Sequence, residues 1–262
     1  MTPKNIGTIK RVGRQVIFYA LLVAAWQLVF YFGTAVLRLW KPYAFPNPIG
    51  VWRSFVTLAG QNALAPAVLL SLRRVAAGYL LSLAIGAAAG LILTRYRSLS
   101  AALKPLLLGI QALPSVCWVP FAILWFGLSE ASILFVIVMG TAFSFSIAVE
   151  SAIRNVNPLY IKAARTMGAR GGPLYFKVVL PACLPALITG LKQSWSFAWR
   201  ALMNAEVMSA AIGIGQMLMM GRDLADINRV ALIIVIIILI GALIEKYVFS
   251  LAEERVLKSI GL

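Results

Sequence analysis

The chain contains no histidine, only two cysteines and only 8 acidic residues among 262. Without histidine the commonest metal ligand and general base is missing. Cys117 and Cys183 lie far apart in apolar context, without C-x-x-C spacing, and read as small apolar packing residues. No G-x-x-x-x-G-K-S/T phosphate loop occurs, so nothing here predicts nucleotide chemistry by this chain. Charge of any sign is scarce at 12%, against roughly 25% in soluble domains. A chain that is 61% hydrophobic cannot cover itself against water, and the bilayer is the solvent that suits it.

What charge there is carries a net +16. The basic residues form no stripe with interleaved aromatics, as a nucleic-acid surface would require. They fall between apolar runs instead. Val16 to Val36 is uncharged and long enough to cross a core of about 30 Å. It follows Lys4, Lys10, Arg11 and Arg14, but it is too long for a signal peptide and no small-residue cleavage site follows, so a retained first span is expected. Val75 to Thr94 is a second run, in which Gly78, Ser82, Gly86 and Gly90 recur every four residues as a smooth packing ridge. Pro105 to Ile153 holds two spans. The first is interrupted at Pro114 and Pro120, and the turn Gly127-Leu-Ser-Glu130 separates it from the second. A fifth span is predicted from about Leu180 to Met208 and a sixth from Val230 to Ala252, with Glu245 and Lys246 snorkelling. The expected fold is an all-α polytopic membrane protein of about six transmembrane helices, forming one transmembrane domain over residues 1–262.

An even number of spans puts both termini on one side, and the positive-inside rule selects the side. With the N-terminus inside, the inner segments take most of the 24 basic residues, including Arg95, Arg97, Lys104, Arg154, Lys162, Arg165, Arg170, Lys177, Lys246, Arg255 and Lys258. The outer segments take Arg38, Lys41, Arg53, Arg73, Arg74, Arg222 and Arg229. Both termini are therefore expected in the cytoplasm.

The basic stretch at about 154–177 reads as an inner loop between spans four and five. Pro158 suits the first turn of a short helix, Ala163 and Ala164 give it a smooth face, and Gly168 can end it with positive φ. A helix this short is poorly stable alone, which fits a groove on a partner protein, although composition by itself equally allows an ordinary solvated loop.

Ala163, Ala164, Gly168, Val178, Leu180 and Pro181 resemble the E-A-A-x-x-x-G-x9-I-x-L-P motif of ABC importer permeases, with Val178 in place of the isoleucine. Phe45-Pro-Asn-Pro48, Leu113-Pro-Ser, Trp118 to Gly127, Ala198-Trp-Arg200 and Ala205-Glu206 are similar to the sulfonate, nitrate, taurine and bicarbonate branch. So is the C-terminal Leu251 to Val256. Lys162 departs from the motif, standing where the family has glutamate. The exchange reads either as a tolerated surface swap or as the mark of a groove with a compensating acid.

The resemblance implies a type I importer fold with a cytoplasmic coupling helix. It implies that this chain pairs with a second permease copy beneath an extracytoplasmic solute-binding protein, in a bacterial inner membrane. Two cytoplasmic ATPase subunits would bind ATP and Mg and grip Lys162, Ala163, Ala164, Gly168, Leu180 and Pro181; no catalytic group, cofactor or metal is expected in this chain. Within the membrane, charge marks function by default, so Arg200 and Glu206 lead the candidates for the solute pathway. Arg200 suits an anion such as a sulfonate, taurine or nitrate, or else a structural ion pair. Six residues separate it from Glu206, so a pairing of either is expected to reach across helices. Trp195 and Trp199 share a helix face and serve either packing or the pathway, and Gln111, Ser115 and Trp118 flank the broken span. A vitamin precursor or other small metabolite is the alternative substrate, and an ATP-independent secondary transporter or channel the alternative mechanism.

Overall fold

The computed structural model describes residues 3–41, 43–209 and 211–260. The terminal Met1 and Leu262, whose side the charge pattern assigns, lie outside the described residues. The elements run α1 (Pro3–Tyr31), α2 (Pro48–Gly60), α3 (Leu64–Arg95), α4 (Arg97–Ala112), α5 (Val119–Phe126) and α6 (Glu130–Arg154). They continue with α7 (Pro158–Thr166), α8 (Gly171–Leu174), α9 (Leu180–Met208), α10 (Ile214–Asp223), α11 (Ile227–Ile244) and α12 (Leu251–Ile260). There is no strand among the described residues. Among the described residues five helical stretches are long and apolar enough to cross a membrane, and the total is six when the bent pair α4–α5 is counted as one broken span.

The chain divides into two compact units. The first comprises residues 1–65 and 217–236. In it the Asn47 side chain accepts from the Gly50 N–H at 2.6 Å and caps α2, whose first residue is Pro48. The Trp26 indole donates to the Pro46 carbonyl at 3.0 Å, and the Asn47 N–H donates to Asn228 Oδ1 at 3.0 Å. These bonds fix the segment between α1 and α2. The long apolar side chains of α1, such as Ile17, Phe18 and Leu21, stay exposed, as lipid-facing residues must.

The second unit comprises residues 66–216 and 237–262. Here the small-residue ridge of α3 packs on α6, as the four-residue period predicts. A Cβ on Gly86 would sit 2.8 Å from the Ala142 carbonyl oxygen, and one on Gly90 would sit 2.7 Å from that of Ser146. Nothing larger than glycine fits beside a backbone that cannot move aside. Gly86→Leu is therefore expected to destabilise the chain by about 3 kcal/mol or more, read as a lower melting midpoint in detergent. The α6–α9 contact is built the same way, with Gly190 against Ala148 and Gly140 against Ala201.

Three boundaries differ from the sequence expectation. The second span begins at Leu64 rather than Val75, because Arg74 is not an outer-loop residue but a buried helical one. Of the two prolines in the broken span only Pro114 breaks it. Leu113 is pushed to extended backbone before it, a 3-10 turn follows at Ser115–Trp118, and the axis bends by 96°. Pro120 lies in the first turn of α5, where its missing N–H costs nothing. Finally, the stretch 154–177 holds two helical pieces, α7 and a helix that restarts at Gly171 and runs on to Met208. Pro181 sits inside that run. The π turn at Tyr175–Val179 just before it widens the helix where the proline ring would otherwise meet a carbonyl.

Candidate functional site

The loop helix is fixed at both ends by its own sequence. Asn157 Oδ1 accepts from the Leu159 N–H at 2.9 Å and Pro158 opens the first turn. At the other end Gly168 takes φ +85°; its N–H donates to the Arg165 carbonyl at 3.0 Å, and the Ala169 N–H donates to that of Ala164 at 2.9 Å. This pair of bonds is a Schellman stop, which needs the left-handed residue that glycine supplies. On the inward side Ile161 packs on a small core of Ala152, Val156, Val179 and Cys183, tying α7 to the feet of α6 and α9. Ala164 is buried, whereas Lys162, Ala163 and Gly168 are exposed. Leu159, Tyr160 and Met167 are exposed too, Met167 by 87%. Leu180 and Pro181 are exposed at the start of α9. A short, well-capped helix thus shows Leu159, Tyr160, Ala163 and Met167 beside the charged Lys162 and Arg165, and packs through Ile161 against the start of α9.

A cavity of about 300 Å³ opens where α4 breaks against α6 and α9. Gln111 and Ser115 line it from the break, Phe143 from α6, and Phe197, Arg200 and Asn204 from α9. The exposed Arg200 guanidinium lies 4.8 Å over the Phe197 ring, and its Nε donates to the Ser196 carbonyl at 3.1 Å. Asn204 Nδ2 donates to Ser115 Oγ at 2.7 Å, holding the break against α9. Of the residues singled out from sequence, Gln111, Ser115 and Arg200 meet here. Trp118 does not line the cavity and packs beside Phe121. Asn204 and Phe197 were not among those candidates, although both share a helix face with Arg200, at i+4 and i−3.

Glu206 lies elsewhere, fully buried, and its partner is not Arg200. Its carboxylate accepts from Ser71 Oγ at 2.7 and 2.8 Å, from Arg74 Nη1 at 2.9 Å and from the Gly215 N–H at 3.0 Å. Arg74 also donates through Nη1 to the Ile212 carbonyl at 2.6 Å. Through Nε and Nη2 it makes a forked pair with Glu130. Four segments of the second unit are pinned by this one cation, and a Cβ on Gly215 would strike Glu206 at 2.5 Å. The expected pairing across helices exists, with Arg74 as the partner; the arrangement is a structural clamp. Trp195 and Trp199 are buried and stacked on each other. Trp195 also meets Tyr79 and Phe249 edge-on or tilted. They pack the helices of this unit and do not line the cavity.

A second buried carboxylate, Glu150, takes Lys104 Nζ and Arg154 Nη1, each at 2.7 Å, and Ser100 Oγ at 3.2 Å. This cluster joins α4 to the end of α6 beside the loop helix. No group of metal-ligating side chains occurs among the described residues.

Comparison with known proteins agrees with this architecture. The family model described as "Binding-protein-dependent transport system inner membrane component" matches residues 82–255. An Escherichia coli protein named as an aliphatic sulfonates transport permease is 31% identical, over 86% of this chain and 83% of its own length. The taurine transport system permease protein of the same organism is 26% identical, over 86% of this chain and 82% of its own. Among solved structures, the inward-facing MetNI methionine ABC transporter aligns with a TM-score of 0.61 at 18% identity, covering 76% of this chain and 96% of that one. The fold is accordingly that of type I ABC importer permeases. This chain belongs to the family of binding-protein-dependent transport system inner membrane components, the permease subunits of ABC importers.

Proposed function

We propose that this chain moves a small anion from an extracytoplasmic solute-binding protein into the cytoplasm, driven by ATP hydrolysis on two partner ATPase subunits that bind the nucleotide and Mg. The observation that carries this reading is α7, a short helix capped at both ends whose outer face shows Leu159, Tyr160, Ala163 and Met167 to a partner. An ATP-independent carrier or channel has no use for such a helix. Closure of the ATPases moves α7, and the rigid run from Gly171 to Met208 carries the motion to Arg200 and Asn204. The charge bias supports cytoplasmic termini, with α7 on the same side. A second copy of the chain completes the pathway.

The anion reading rests on Arg200, an exposed guanidinium in a cavity that also presents Gln111, Ser115 and Asn204 within a membrane chain. The relatives named for aliphatic sulfonates and taurine support the same class. Arg200→Ala is expected to lower uptake of the matching sulfonate into vesicles about tenfold or more, with folding retained, because a desolvated charge-assisted contact is worth about 1.5–3 kcal/mol. Unchanged uptake by this variant excludes Arg200 from the pathway.

A further inference from the structure

The cavity at Arg200 is one of three in the second unit that are linked in series by shared lining residues. It shares Gln111 with a cavity of about 310 Å³ bordered by Ser144, Ser151, Asn155, Thr189 and Gln193. That one shares Leu108 with a third, of about 440 Å³, bordered by Arg97, Lys104 and Arg154. The lining follows helix geometry. On α4 it recurs at Arg97, Ala101, Lys104, Leu108 and Gln111, and on α9 at Thr189, Gln193, Phe197, Arg200 and Asn204. Both are stripes of three- and four-residue steps, one face each. The α9 stripe alone spans ~22 Å at 1.5 Å per residue, most of the thickness of a bilayer core.

The charge along this groove is ordered. Arg200 stands at one end. Three cations, Arg97, Lys104 and Arg154, stand at the other against the single carboxylate Glu150, which leaves that end positive. Between them lie neutral hydrogen-bonding groups and no carboxylate. A positive mouth at each end raises the local concentration of an anion, and neutral amides and hydroxyls between them bind without trapping it.

We infer that this face of α4, α6 and α9 is an anion-selective track, entered at Arg200 and left at the Arg97–Lys104–Arg154 cluster. The inference rests on the anion reading above and gives it a route. It commits to small oxyanions, and it makes Gln111 and Leu108 the narrow points at which the three cavities join.

The test needs neither ATP nor a known substrate. Full-length chain with Cys117→Ser and Cys183→Ala is reconstituted in vesicles, with a single reporter at Gln193→Cys, Asn155→Cys or Gln61→Cys, an exposed position just after α2 in an uncharged stretch. Each is treated with a sulfonate-bearing and a trimethylammonium-bearing methanethiosulfonate. The rate ratio, anionic over cationic, is expected to be about tenfold higher at Gln193→Cys and Asn155→Cys than at Gln61→Cys. Arg200→Gln is expected to reduce the ratio at Gln193→Cys about threefold; if that variant does not fold, Arg97→Gln at the exposed end serves instead. Equal ratios at all positions overturn the proposal. So does a failure of both reagents to react at Gln193→Cys and Asn155→Cys, which marks the groove as a sealed packing face. Because labelling is independent of ATP, its outcome is separate from that of the uptake experiment.

Discussion

Ala163→Glu is expected to abolish solute-stimulated ATP hydrolysis in the assembled transporter while leaving the chain folded. Ala163 is exposed on the outer face of α7, and glutamate is a good helix former, so the substitution costs the isolated subunit no more than about 0.5 kcal/mol. In the docked state the same carboxylate is buried at an interface that has no partner shaped for it. Such an unpaired charge costs roughly 2–5 kcal/mol, a loss of about thirtyfold or more in docking affinity. The measurement is ATPase stimulation beside a melting curve of the permease alone. Gly168→Val is expected to have the same functional effect through a different cause. At φ +85° a β-branched residue is strained, the Schellman bonds to Arg165 and Ala164 open, and α7 unwinds from its C-terminus.

The largest loss of stability is expected at Glu206. Glu206→Ala leaves the Arg74 Nη1 and Ser71 hydroxyl without their carboxylate, and leaves the Gly215 N–H unsatisfied in a buried site. Arg74 keeps its forked pair with Glu130, so the cost, about 3–5 kcal/mol, comes from the buried donors left without their acceptor, at about 1–3 kcal/mol each. The melting midpoint in detergent is expected to fall by about 10 °C, with loss of folded yield. The double replacement Arg74→Met with Glu206→Leu is expected to recover much of that loss. It removes both charges from the buried core, and Glu130, 57% exposed, can turn to water. If the double variant is as unstable as the sum of the single ones, the two side chains are not coupled and the clamp does not exist.

The parts of this structure that were legible in the sequence are those set by local rules. Uncharged runs marked the spans, Pro114 marked the bend, the Gly78–Gly90 ridge marked a close helix contact, and Pro158 with Gly168 marked the ends of α7. What stayed hidden depends on partners distant along the chain. Arg73 and Arg74 read as an outer segment because a pair of arginines beside an apolar run looks like a boundary. The carboxylates that Arg74 pairs with are 56 and 132 positions away, and nothing local reveals them. The same arginine holds Glu206 in a buried clamp, away from the lining of the cavity at Arg200. Asn204 was within reach, one turn beyond Arg200, yet its role appears only when the break at Ser115 folds back onto α9. The helical restart at Gly171 was obscured by two glycines and a proline, which resemble a loop until packing decides otherwise.

The loop helix as the point of ATPase docking is the centre of this account, and proximity tests it most directly. Single cysteines at Leu159, Tyr160 and Met167, in a chain cleared of Cys117 and Cys183, are joined to the co-expressed complex with a short bifunctional thiol reagent. Trp52→Cys, equally exposed on α2, serves as the control. The predicted result is a crosslinked product containing the ATPase subunit from the α7 positions and none from Trp52→Cys. No ATPase adduct from any α7 position, or equal adducts from Trp52→Cys, would contradict it.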